Sequence, residues 1–187
     1  MKEQVPNICF LMETRLDIEG IKQCCNELPL KNRFAVKKPS MGGGLAMLWK
    51  ENISLEVFKF LENQISAWVT ESDGFRCLLT GFYGWPEVKD RYKSWTLLSH
   101  ICSYVDGAWM CIGDFNEMLS LAEKLSCRPA PPRQIDAFRE ALELCHLADL
   151  GFIGYPYTWN NRRLGAANTR EFLDKVVANE AWMSKFP

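Results

Sequence analysis

An α/β sandwich with largely antiparallel sheets is the fold class this chain predicts, and three observations predict it. Three β-rich runs follow one another closely: 53–60 (ISLEVFKF), 64–70 (QISAWVT) and 75–83 (FRCLLTGFY). Their alternation and their β-branched or aromatic content mark consecutive antiparallel strands. Two segments with apolar residues at helical spacing interrupt the strands and supply faces that cover a sheet. At 187 residues, 48% hydrophobic and 24% charged, the chain is large enough for one domain, residues 1–187, with a sizeable core.

In order along the chain, residues 7–12 (NICFLM) read as a short buried strand ending at Glu13. Residues 17–28 have helix-like spacing, with Ile18, Ile21 and Leu28 as apolar positions. Met41-Gly42-Gly43-Gly44 is a loop leading into the strand 45–49 (LAMLW), and the three β-rich runs follow. Pro86 and Glu87 open a helix through about Tyr104, with Trp95, Leu98, Ile101 and Cys102 on one face. The strand 108–112 comes next. Residues 119–132 read as a loop because Pro129, Pro131 and Pro132 block regular structure. A second helix, about 133–147, carries Ile135, Phe138, Leu142 and Cys145 as its buried stripe, 149–159 is aromatic and glycine-rich, and 170–177 returns to strand.

Composition bounds the function. The formal net charge of −1 excludes a global basic field that draws the chain to nucleic acid. Two local clusters, Lys31, Arg33, Lys37 and Lys38, and then Arg162, Arg163 and Arg170, read either as solvated surface or as phosphate tracks. No secretory signal opens the sequence, and no apolar run reaches the ~18 residues of a membrane span, so an intracellular, membrane-free protein is expected. The eight cysteines include no CxxC pair and read as reduced core thiols. His100 and His146 lack metal-ligand partners at motif spacing and read as structural.

The most informative stretch is Cys111-Ile112-Gly113-Asp114-Phe115-Asn116. Side chains alternate along a strand, so Asp114 and Asn116 project together while Phe115 turns into the core. A carboxylate beside a neutral amide suits phosphate chemistry; the alternative is an ordinary strand-to-turn transition, for which Gly, Asp and Asn are common residues. Polar residues recur at other strand ends: Glu13, Tyr83, Thr158-Trp159-Asn160 and Asp174. Acids at buried strand termini are costly unless paired or metal-bound, and such an oxygen set suits Mg²⁺.

Leu11-Met12-Glu13-Thr14-Arg15, Gly81-Phe82-Tyr83-Gly84, Gly113-Asp114-Phe115-Asn116 and Phe172-Leu173-Asp174-Lys175 occur in the order of the endonuclease/exonuclease/phosphatase superfamily, which the chain resembles. More narrowly, Asp149-Leu150-Gly151-Phe152-Ile153-Gly154, Tyr157-Thr158-Trp159-Asn160-Asn161 and the segment from Pro131 to Phe138 resemble the endonuclease domain of plant LINE-type non-LTR retrotransposons. The resemblance implies a DNase I-like four-layer sandwich, two mostly antiparallel sheets packed face to face with helices outside. It also implies a metal-dependent DNA endonuclease using Mg²⁺, with Mn²⁺ as substitute, working on DNA in the nucleus beside a reverse transcriptase domain in cis. Glu13 matches the metal-binding glutamate, Tyr83 the tyrosine on the scissile phosphate, and Asp114 the aspartate that activates water or protonates the leaving group. Asn116 matches the asparagine that holds a phosphate oxygen, and Asp174 the aspartate that orients a catalytic histidine. Trp159, Asn160 and Arg162 fall beside the DNA cleft, a core role being the alternative for Trp159.

The chain also departs from that pattern. A first strand of the Trp-Asn-x-Arg-Gly type is absent upstream of Glu13, as is a Ser-Asp-His motif after Asp174, and Arg-Leu-Asp-Arg appears as Phe-Leu-Asp-Lys. The expectation is a fold incomplete at both termini and a fragment with weak activity or none. The alternatives are a non-catalytic remnant that binds nucleic acid weakly, and a phosphatase of the same superfamily.

Overall fold

A computed structural model describes residues 6–37, 43–128 and 130–186, which fall into two compact units, Met1–Phe82 and Tyr83–Pro187. In the first, β1 (Ile8–Leu11), β3 (Gly44–Trp49) and β2 (Asn32–Lys37) form an antiparallel sheet in the order β1-β3-β2. The central strand β3 is buried along nearly its whole length, which explains its unbroken apolar run. On one face lies α1 (Ile18–Cys24), started by the Asp17 carboxylate accepting from the Gly20 N–H at 2.9 Å; Ile21, Cys25 and Leu30 pack there on Ala46 and Leu48.

The other face meets the antiparallel hairpins β4 (Ser54–Leu61), β5 (Gln64–Thr70) and β6 (Arg76–Tyr83). Phe34 of β2 touches Phe60 of β4 edge-on at 4.9 Å. The Phe10 ring lies so close to Gly81 that a Cβ there would sit 2.3 Å from it. A hydroxyl ladder runs through this interior: Ser66 donates to Gln64 Oε1 at 2.9 Å, so its single proton is used and the Thr80 hydroxyl donates to Ser66 at 3.0 Å.

In the second unit β7 (Ala108–Asp114) pairs antiparallel with β12 (Asp174–Ala178), which pairs with the short β9 (Ala148–Asp149). Helices α2 (Tyr92–Cys102) and α3 (Pro132–Leu144) present Leu97, Leu98 and Ile101, and Ile135, Phe138 and Leu142, to the core. Phe138 stacks on Trp95 at 4.7 Å and meets Phe115 at 5.3 Å. A second small sheet joins β8 (Lys124–Leu125), β11 (Arg170–Glu171) and β10 (Trp159–Asn160). The chain ends in α4 (Glu180–Met183), capped by Asn179, whose carboxamide also takes the Trp109 N–H. Among the described residues no helix is long and apolar enough to cross a membrane.

Several elements differ from their sequence reading. Strand β2 lies in the segment of the first basic cluster, which the sequence reading left without an element; Arg33 and Lys37 sit on it, and pairing to β3, a tertiary effect, decides its conformation. Lys38, Met41 and Gly42 lie outside the described residues. The helix expected over 17–28 stops at Cys24, so that Leu28 lies beyond it, and both Leu28 and Ile18, at its first position, are exposed. The helix expected from Pro86 begins at Tyr92 after a single 3₁₀ turn, Val88–Asp90. The proline-rich loop contains a further 3₁₀ turn and β8, and the strand expected over 170–177 breaks at Phe172 and Leu173, which bury their side chains. Both histidines are exposed, His100 edge-on to Tyr104 and His146 in the left-handed region just past α3.

The cysteines whose side chains are described are free thiols, and most are wholly or partly buried, but Cys127 is exposed. Burial pushes the Cys145 thiol up to about 12 and the Cys77 thiol up to about 11, and holds Cys111 well above the ordinary range. Alkylation requires thiolate. Iodoacetamide at pH 8, mapped by mass spectrometry, is therefore expected to label Cys127 first, with Cys77, Cys111 and Cys145 modified only as fast as the chain unfolds. Prompt labelling of Cys111 in native buffer would contradict this packing.

Candidate active site

Asp114 closes β7 and Asp174 opens β12, and the two stand directly opposite each other across the ladder. The neighbouring pair carries a hydrogen bond, Phe115 N–H to Leu173 C=O at 3.1 Å. The Asp114–Asp174 pair is therefore of the non-hydrogen-bonded kind, in which opposed side chains come closest. Like charges directly opposite each other in such a pair are unfavourable. The start of β12 is held by one side chain: the Thr158 hydroxyl accepts from the N–H groups of Leu173 at 3.0 Å and Asp174 at 3.1 Å.

Asn116 is joined to Asp114 by a turn, not by strand alternation. Its backbone N–H donates to Asp114 Oδ1 at 2.7 Å, and its φ of +55° is left-handed, a region asparagine tolerates better than most residues. The amide is aimed by a second bond, Nδ2 to the Gly84 carbonyl at 2.9 Å, while the Gly84 N–H donates to the Asp114 carbonyl at 2.7 Å. Gly84 has to be glycine, since a Cβ would lie 2.4 Å from the Phe115 carbonyl oxygen. Immediately before it, Tyr83 is buried, and Phe115 turns fully into the core. Three of the sequence candidates, Asp114, Asn116 and Asp174, thus meet at the end of one pair of strands, and Tyr83 immediately precedes the Gly84 that holds Asn116.

Trp159 and Asn160 form β10, one residue beyond Thr158, and both are exposed. The Trp159 position is not core. Asn160 Oδ1 accepts from the Arg162 N–H at 2.8 Å and from Asn168 Nδ2 at 2.8 Å, and Arg162 has a φ of +57°. Asn161, Asn168 and Thr169 complete the lacing of a hairpin that displays Arg162 and Arg163. Glu13 belongs to the first unit. It follows β1, is exposed, and has a φ of +52°, with Arg15 at +51°; between them the Thr14 hydroxyl is buried with no hydrogen-bond partner among the described residues. Two non-glycine residues in the left-handed region at one strand end store strain of the kind found at functional sites. Among the described residues no group of three or more His, Cys, Asp or Glu side chains is arranged to hold a metal ion.

Sequence reasoning missed Arg91, Glu117 and Lys175. Glu117 directly follows the Gly-Asp-Phe-Asn motif yet is almost fully buried, bonded to Arg91 at 2.6 Å. Lys175 directly follows Asp174 and is also buried, bonded to Glu123 at 2.8 Å. The signal was present for both, a charge adjoining a motif inside an apolar context, but the partners are 26 and 52 residues away.

The chain is similar in structure to several solved proteins. The endonuclease domain of TRAS1, a telomere-specific non-LTR retrotransposon, matches with a TM-score of 0.60 at 12% identity, over 82% of this chain and 68% of that one. The 3′ phosphatase NExo from Neisseria, bound to a product DNA hairpin, matches with 0.60 at 16%, over 94% and 77%. An AP endonuclease from Archaeoglobus fulgidus matches with 0.60 at 16%, over 93% and 76%. No model of a protein family matches the chain, and no curated protein does. Identities this low speak for shape, and the shape is plain: two β-sheets with helices, the DNase I-like fold of the endonuclease/exonuclease/phosphatase proteins.

Proposed function

We propose that the chain is a metal-dependent phosphodiesterase that nicks DNA, the endonuclease domain of a LINE-type non-LTR retroelement. The observation that carries this reading is the opposed pair Asp114 and Asp174, with Asn116 pinned beside it by Gly84. Asp114 moves the proton of the attacking water or the leaving oxygen. Asn116 uses one Nδ2 hydrogen on Gly84 and keeps a second donor for a phosphate oxygen. Tyr83 contacts the same phosphate. Asp174, whose backbone N–H is held by the Thr158 hydroxyl, is the proposed orienting carboxylate of the site.

The donor set fits Mg²⁺ or Mn²⁺: hard oxygens, and a like-charge pair that a cation relieves. Such an ion, when bound, offsets the charge of the phosphate. Glu13 is the proposed metal-binding carboxylate of the first unit. Trp159, Asn160 and Arg162, on the hairpin that adjoins Thr158, are proposed DNA contacts, and a reverse transcriptase domain in cis and a nuclear setting accompany the reading.

The test is nicking of supercoiled plasmid with Mg²⁺ or Mn²⁺, abolished by EDTA and by Asp114→Ala. Nicking that survives Asp114→Ala would identify a contaminant. Release of phosphate from a 3′-phosphorylated oligonucleotide without nicking would instead make the chain a phosphatase. The exposed arginine hairpin favours one second reading, nucleic-acid binding without turnover. It predicts binding that weakens steeply with salt in the absence of any product.

A further inference from the structure

Arg91 lies at the start of α2, and its guanidinium joins three separate segments. Nη1 donates to Glu117 Oε2 at 2.6 Å and to Gln134 Oε1, in the first turn of α3, at 3.1 Å; Nη2 reaches the Pro86 carbonyl at 3.5 Å. Glu117 is 1% exposed, and its other oxygen accepts the Met118 N–H at 3.0 Å. Pro86 lies two residues past Gly84, whose carbonyl orients the Asn116 amide. The Arg91 pair therefore ties together both sides of the Asn116 contact.

A buried carboxylate is tolerated only while its cation is in place. Without Arg91 the Glu117 carboxylate takes up a proton or moves toward solvent, and Glu117 is the immediate neighbour of a residue held at φ +55°. Moving Glu117 moves Asn116.

We infer that Arg91 is a positioning residue for Asn116, acting through Glu117, in a role that rests on the phosphodiesterase reading. Arg91 supplies the charge that keeps the loop 114–118 folded inward against Gly84. Glu117 is thereby an internal strut, which accounts for an acid buried beside a motif whose own polar groups point elsewhere.

Nitrogen-15 NMR of the whole chain tests this independently of activity. In Arg91→Met the side-chain amide signal of Asn116 is expected to move, because its bond to Gly84 loosens. Arg91→Lys, which keeps the charge but loses the fork, is expected to move it less and serves if Arg91→Met does not fold. The double variant Arg91→Met/Glu117→Gln, which removes the stranded charge, is expected to return the signal towards its original position. In nicking assays, kcat for Arg91→Met is expected to fall about 10²-fold at unchanged KM, as for an ångström-scale misplacement, and to recover in the double variant. An Asn116 signal unmoved in both single variants would overturn the inference, as would a double variant no better than Arg91→Met. If the wild-type chain does not nick but the signal moves as described, the positioning role stands and the phosphodiesterase reading fails.

Discussion

Asp114→Asn is expected to lower metal-dependent nicking by about 10²–10⁴-fold, the usual contribution of a positioned acid or base, while leaving the chain folded. An asparagine is nearly isosteric, and its Oδ1 can still accept the Asn116 N–H that now goes to Asp114 at 2.7 Å. What disappears is a negative charge facing Asp174 across a non-hydrogen-bonded pair. Like charges directly opposite each other in a sheet are unfavourable. In metal-free buffer the variant is expected to melt within a few degrees of the wild-type chain. Loss of function coupled to little-changed stability marks a site selected for chemistry. Calorimetry in EDTA beside the plasmid assay checks both halves, and a Tm lowered by several degrees would show that Asp114 is a structural anchor.

Glu123→Ala is expected to destabilise the chain by about 3–5 kcal/mol, the range for removing one partner of a buried ion pair. The Lys175 side chain is completely buried, and its Nζ has Glu123 Oε2 at 2.8 Å as its one anionic partner among the described residues. Its remaining neighbours, the Phe172 carbonyl at 3.3 Å and the Phe172 ring at 4.1 Å, cannot neutralise an ammonium. Glu123 Oε2 also takes the Leu119 N–H at 2.8 Å, so the deletion leaves that donor unmet as well. Lys175→Met in the same background removes the stranded charge and is expected to recover a large part of the loss. Urea titrations of the four chains measure the coupling. A Glu123→Ala midpoint equal to wild type would mean that Lys175 reaches solvent.

Much of this architecture was legible in the sequence. The hairpin strands and both long helices follow from local periodicity, which each segment carries by itself. The site was legible in part. Tyr83, Asp114, Asn116 and Asp174 announced themselves as polar residues at strand ends, yet the expected geometry of Asp114 and Asn116 was a shared strand face. The observed one is a left-handed turn, because Gly84 offers Asn116 a carbonyl that no local pattern reveals. Strand β2 went unread for the same kind of reason, since its pairing to β3 outweighs a basic, weakly alternating segment.

The sequence by itself determined the hairpin strands, the two long helices and which polar residues stand at strand ends, since the apolar period and the order of motifs are local properties. Only the tertiary structure decided that Asp114 faces Asp174, that Thr158 holds the second of them, and that Glu117 and Lys175 are interior charges with distant partners. Register, ion pairing and the Thr158 hydrogen bond join residues 16 to 60 positions apart. Their energy depends on proximity and burial, and neither exists until the sheets have formed.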